Sequence, residues 1–197
     1  MQIANLSHNA NWQFALKHNP MPEHKLTPFE QFLVRAEDII MTRLVPMDDP
    51  GPVFKRLFKV PVFFYKIGLP LFGNFILLLT TTGRKSGKPR QTPLEYRREP
   101  GTGHFIVMAG WGGRTDWRRN VEVNPRVRVQ AGWRKFEAVA EPLTEAEVAD
   151  WLAEAMRISP MSERIWSRWA GEPVRVEEPE SLLRAAKFFP SFRLKSL

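Results

Sequence analysis

Five strand-like segments follow one another between residues 75 and 142, at about 75–82, 90–98, 104–109, 125–131 and 134–142, and no other feature limits the fold so strongly. Turn residues such as Pro100-Gly101-Thr102-Gly103 and Ala131-Gly132 separate them. Helical patterns sit at both ends of this run. Thr27-Pro28-Phe29-Glu30 is a capping box that starts a helix over about 28–44. A second, apolar helix covers 53–67, with Pro61 either kinking it or beginning a new turn. Phe54, Leu57, Phe58, Val62 and Tyr65 share one side of it. Thr115-Asp116 caps a short helix through Asn120, and Thr144-Glu145-Ala146-Glu147 is a second capping box. Short helical pieces follow near 162–169 and 179–188. Consecutive strands on short turns, with helices outside them, predict an α+β fold of five to six mostly antiparallel strands closed into a small barrel. The predicted organisation is an arm and helix over 1–50, the barrel over 51–158 and a helical extension over 159–197.

The first strand leads into Thr-Thr-Thr-Gly-Arg-Lys-Ser-Gly-Lys-Pro-Arg-Gln-Thr-Pro at 80–93, where two glycines, four cations and several hydroxyls crowd one turn. Backbone N–H groups and cationic heads aimed at one point suit a phosphate or a carboxylate. The turn is no Walker loop, because Pro89 follows Lys88 where Ser or Thr is required, and no G-x-G-x-x-G opens a helix here. An exposed hairpin turn with solvated charges is the competing reading.

Composition narrows the partners. The formal net charge is +8 over 197 residues, which predicts an anionic cofactor, a membrane surface or nucleic acid. No nucleic-acid motif accompanies the charge, so nucleic acid is not expected. The chain has no cysteine, which excludes disulfides and thiolate metal sites. Its four histidines have no metal-ligand spacing, so no metal is expected. The N-terminus lacks a basic stretch followed by an apolar core, and the apolar run over 57–80 is broken by Lys59, Lys66 and Asn74. A cytoplasmic location follows, with a peripheral contact to the cytoplasmic face of a membrane left open.

Taken together, the strand-Thr-Thr-Gly-Arg-Lys-Ser-Gly-x-Pro-Arg motif, the His104-Phe-Ile-Val-Met-Ala-Gly-Trp-Gly run, Asp116-Trp117-x-x-Asn120 and Asn124-Pro125-x-Val-x-Val resemble the deazaflavin-dependent nitroreductase family over roughly residues 53–155. The resemblance implies a split β-barrel, related to flavin-binding reductases, that uses coenzyme F420. It implies that Arg84, Lys85 and Ser86 hold the phosphodiester and glutamate tail, and that Pro89, Thr92 and Pro93 shape the strand beside the cofactor. It further places Ala109, Gly110 and Trp111 against the deazaflavin ring, with Trp117 and Asn120 near it. No side-chain nucleophile or carboxylate pair stands out, and none is needed, because the cofactor carries the hydride to an apolar, electron-poor acceptor such as a quinone, an activated alkene or a nitro compound. FMN on the same fold is one alternative; a non-catalytic binder of an apolar ligand or membrane surface is another.

The pattern departs from nitroreducing members where those place tyrosines in the substrate pocket. This chain has only Tyr65 and Tyr96, and its 159–171 stretch offers Met161, Trp166 and Trp169 instead. Tyr65, Met161, Trp166 and Trp169 are the candidate substrate-pocket residues, with Trp166 and Trp169 forming an apolar lid or plain packing. Phe188, Phe189 and Phe192 alternate with cations at the C-terminus, where they could close the pocket, pair subunits into a homodimer or touch membrane.

Overall fold

The structure, a computed structural model, describes residues 56, 59–69, 73, 76–99, 101–158 and 160–197, without the side chains of Trp111 and of residues 158, 160 and 161. The expected arm over 1–25, the helix over 28–44, and Phe54, Leu57 and Phe58 lie outside the described residues. In chain order the elements are α1 (Val60–Lys66), β1 (Ile76–Thr82), β2 (Pro89–Arg98), β3 (Phe105–Met108), a 3₁₀ turn (Trp111–Gly113), α2 (Asp116–Val123), β4 (Arg126–Ala131) and β5 (Arg134–Pro142). Then come α3 (Glu145–Ile158), α4 (Pro160–Ala170), α5 (Pro179–Ala186) and β6 (Ser191–Ser196). Pro61 lies in the first turn of α1, where its missing N–H costs nothing, so it starts a helix rather than kinking one.

The six strands close in the order β1-β2-β3-β6-β5-β4, and every pairing is antiparallel. This is the expected split barrel. Side chains alternate across each strand, and the inward set (Leu77, Leu79, Phe105, Val107, Val127, Val129, Ala138, Ala140 and Leu194) fills the interior. Trp117 and Val121 of α2 belong to the same buried cluster, so this helix plugs the barrel. β3 pairs with β2 only from Tyr96 onward, which leaves the first half of β2 with one neighbour. Pro89 and Pro93 sit in that half, where a missing donor interrupts no ladder.

Residues 159–197 are not wholly a helical extension, since β6 bridges β3 and β5 and closes the barrel. Phe192 and Leu194 supply its buried side, while Arg193 and Lys195 face the other way. The remaining helices form a second core outside the barrel, in which Leu152 and Met156 of α3 meet Leu182 and Ala185 of α5 and Phe189. The second capping box forms as expected: Thr144 Oγ1 accepts from Glu147 N at 3.3 Å, and Glu147 Oε2 accepts from Thr144 N at 2.8 Å. Thr115 takes the N-cap position of α2 with extended backbone, but its side chain makes no capping bond.

Candidate cofactor site

The turn after β1 is built by its own backbone. Gly83 N donates to Lys88 O at 2.9 Å, and Gly87 N donates to Gly83 O at 2.7 Å. Gly87 adopts φ +64, the left-handed region that glycine reaches without strain. A Cβ on Gly83 would stand 2.8 Å from Ser86 Oγ and 3.1 Å from Lys88 O, so any larger residue opens the turn. Lys85, Ser86, Lys88 and Arg90 are exposed along its outer edge. Among the described residues no carboxylate pairs with Lys85, Lys88 or Arg90, and these donors are therefore available to an anion.

Arg84 turns the opposite way. Asn120 Oδ1 accepts from Arg84 N and from Arg84 Nη1, each at 3.1 Å, and Arg84 Nη1 lies 2.9 Å from Asp116 Oδ1. Asn120 Nδ2 in turn donates to Thr81 Oγ1 at 3.1 Å. Both Asn120 and Thr81 are buried, at 4% and 2% exposure. Buried polar atoms persist when satisfied, and this chain of bonds straps the basic turn to α2. Arg84 thus serves the turn's position, and Lys85 and Ser86 lie on its outside. The network also includes Thr81 and Asp116, which the sequence marks only by their place inside the two motifs it joins.

The second half of the site is the segment between β3 and α2. Ala109 is fully buried, and its N–H donates to Pro190 O at 2.9 Å. A Cβ on Gly110 would meet the ring of Trp169 at 3.6 Å, so that indole covers the backbone there. Gly112 and Gly113 have φ +61 and +70, and Arg118 Nη1 holds Gly113 O at 3.1 Å. Trp111 opens this 3₁₀ turn, and its side chain lies outside the described part. The turn and this loop meet at the N-terminal end of α2 through the Arg84–Asp116 pair.

The expected ring and pocket residues divide. Trp117 is buried in the barrel, edge-on to Phe192 with ring centroids 5.6 Å apart, which makes it a core aromatic. Trp166 and Trp169 pack edge-to-face at 5.7 Å, and Trp166 lies 5.0 Å from Phe189. They join the second core and reach Gly110 from it, combining the lid and packing roles. The Met161 side chain lies outside the described part. Thr92 and Pro93 are half-buried on β2, and Pro89 is exposed at its start. Tyr65 is buried; its hydroxyl donates to Ile76 O at 2.6 Å and accepts from Gly132 N at 3.2 Å. Burial pushes the Tyr65 phenol up, outweighing the opposing bond from Gly132. Tyr96 likewise donates to Gly73 O at 2.8 Å, so both phenols brace backbone. No cluster of His, Cys, Asp or Glu able to hold a metal occurs among the described residues.

The site thus joins a basic turn strapped to α2 with a glycine-bearing loop on a split barrel. Residues 62–179 match the model of a family described as F420H(2)-dependent quinone reductase. The chain belongs to that family. Coenzyme F420 is accordingly its cofactor, and FMN is not favoured. The chain is 36% identical over 70 residues to an F420H(2)-dependent quinone reductase of Mycobacterium tuberculosis, covering 34% of this chain and 46% of that protein. A counterpart in Mycobacterium bovis matches to the same extent. The chain thus spans about half the length of the curated relatives it matches. A solved F420-H2 dependent reductase shares 30% identity over 61% of this chain and 93% of that one, with a TM-score of 0.43. No helix among the described residues is long and apolar enough to cross a membrane.

Proposed function

We propose that this chain reduces a quinone or a similarly apolar, electron-poor acceptor, with reduced coenzyme F420 as electron donor. The observation that carries the reading is the basic turn, held rigid from within by Asn120 while Lys85, Ser86, Lys88 and Arg90 stay open outside. A phosphodiester and a glutamate tail are polyanionic, and the exposed donor set fits them. Each charge-assisted contact contributes roughly 1.5–3 kcal/mol. When bound, the reduced deazaflavin supplies a hydride from its carbon 5.

The protein's part is to bind, orient and exclude water. Lys85 and Ser86 hold the tail, with Lys88 and Arg90 beside them. Gly112 gives close backbone approach to a flat ring, because a Cβ there would meet nothing within 4 Å. Trp169 over Gly110 supplies an apolar wall that favours a quinone-like acceptor. With the hydroxyls of Tyr65 and Tyr96 committed to backbone, neither gives its proton to an acceptor, which weighs against nitro compounds.

Titration with coenzyme F420 and with FMN, followed by tryptophan quenching, tests the reading. Micromolar or tighter F420 binding, FMN much weaker, and F420H2 oxidation by a soluble quinone are expected. Tight FMN binding with no F420 binding would overturn it.

A further inference from the structure

Five of the eight large apolar side chains that stand most exposed among the described residues gather in and around one short helix and one hairpin. Val60, Phe63 and Ile67 belong to α1 or its C-cap, Leu69 follows, and Trp133 tips the β4–β5 hairpin. Phe63 is 59% exposed, Ile67 50% and Trp133 76%. Helical spacing explains the first three. Tyr65 points into the fold, and Phe63 and Ile67, two positions to either side of it, project from the opposite face. Lys59 and Lys66 flank that face and are exposed. The hairpin is tied to the helix, since Gly132 N donates to the Tyr65 hydroxyl at 3.2 Å. Arg134 and Lys135, exposed at the start of β5, add cations beside Trp133.

The exposed charge beside this surface is mainly positive: Lys59, Lys66, Arg134 and Lys135 stand there, while Glu95, opposite Ile76 at the start of β1, lies 3.8 Å from Arg97. Apolar side chains standing out among lysines, with a tryptophan at the same level, match the boundary of an anionic bilayer. There acyl chains receive Phe and Ile, headgroups receive Lys and Arg, and an indole prefers the interface. A purely apolar protein partner would leave Lys59, Lys66, Arg134 and Lys135 without a complement.

We infer that the outward face of α1 and the Trp133 hairpin together form a docking surface for an anionic lipid bilayer. The inference extends the quinone reductase reading by naming where a lipid-soluble acceptor is met. Vesicle binding is measured without coenzyme, so the two fail separately.

The test is co-sedimentation of the full chain with vesicles of phosphatidylcholine alone and of phosphatidylcholine with phosphatidylglycerol. Partitioning to the anionic vesicles is expected, weakening as salt rises. Reversing both lysines (Lys59→Glu with Lys66→Glu) should weaken it by at least about tenfold. Phe63→Glu and Trp133→Ser should each weaken it while leaving coenzyme titration unchanged. The two lie on separate elements, so a failure of one variant to fold leaves the other to decide. Equal partitioning to both vesicle types, or wild-type partitioning by Trp133→Ser, overturns the inference. Concentration-dependent dimerisation that Phe63→Glu abolishes, with no vesicle binding, also overturns it and assigns the face to a second copy.

Discussion

Asn120 Oδ1 accepts from the backbone and the guanidinium of Arg84 while Nδ2 donates to Thr81, so Asn120→Ala strands several buried or half-buried groups at once. The expected cost is about 1–3 kcal/mol of stability, read from urea unfolding. Loss of the strap should also weaken coenzyme F420 binding by about tenfold, although the amide faces the turn rather than the ligand. Unchanged affinity alongside lowered stability would reduce Asn120 to a core residue. Lys85→Ala separates the roles, because Lys85 is exposed and, among the described residues, its side chain makes no hydrogen bond or ion pair that holds the turn. It should leave the unfolding midpoint in place and raise the coenzyme Kd by about ten- to a hundredfold. At this scale the sequence was legible in kind, through residue types and motif order. It could not say that Arg84 faces inward, because Arg84 and Asn120 stand 36 positions apart and meet only when the barrel closes.

At the scale of elements, β6 decides whether a barrel exists. Phe192 is buried, pairs with Val107 and Pro142 across its two ladders and meets Trp117 edge-on. Phe192→Ala should therefore cost about 3–5 kcal/mol in urea unfolding, more than an equivalent change on the surface. A loss below about 1 kcal/mol would show that β6 is peripheral. The five internal strands were readable because apolar residues, turns and prolines punctuate them. β6 was not read, although Phe192-Arg193-Leu194-Lys195 alternates apolar and charged residues as a half-buried strand does. Its period is only two repeats long, and aromatics mixed with cations also describe a lid or an interface. What makes it a strand is the gap between β3 and β5 that it fills.

Across the whole molecule, Arg193 ties three parts of the chain together. Its Nε donates to Glu99 Oε1 at 2.8 Å, just beyond β2, and its Nη2 donates to Glu147 Oε1 at 2.9 Å, on α3. The Arg193 hydrogen bond holds the Glu99 carboxyl below its ordinary value of 4.5, more than burial raises it. Burial pushes Glu147 up, but the Thr144 N–H and Arg193 together outweigh it and leave it lowered as well. Both carboxylates are depressed on folding, so their contribution is full above about pH 4.5 and is lost as pH falls through the lowered values. Unfolding midpoints measured against pH should fall on the acid side in wild type, and the fall should be shallower in Arg193→Met. An identical acid limb in the variant would dissociate this cluster from acid stability. By itself the sequence determined the class of fold, the positions of the internal strands and the presence of a basic, glycine-bearing turn, because periodicity, turn chemistry and charge act over short spans of chain. Only the tertiary structure decided that the last strand closes the barrel, that Arg84 braces while its neighbours stay open, and that Trp169 covers Gly110. Those outcomes rest on contacts between distant residues, and their free energies exist only once the barrel has brought them together.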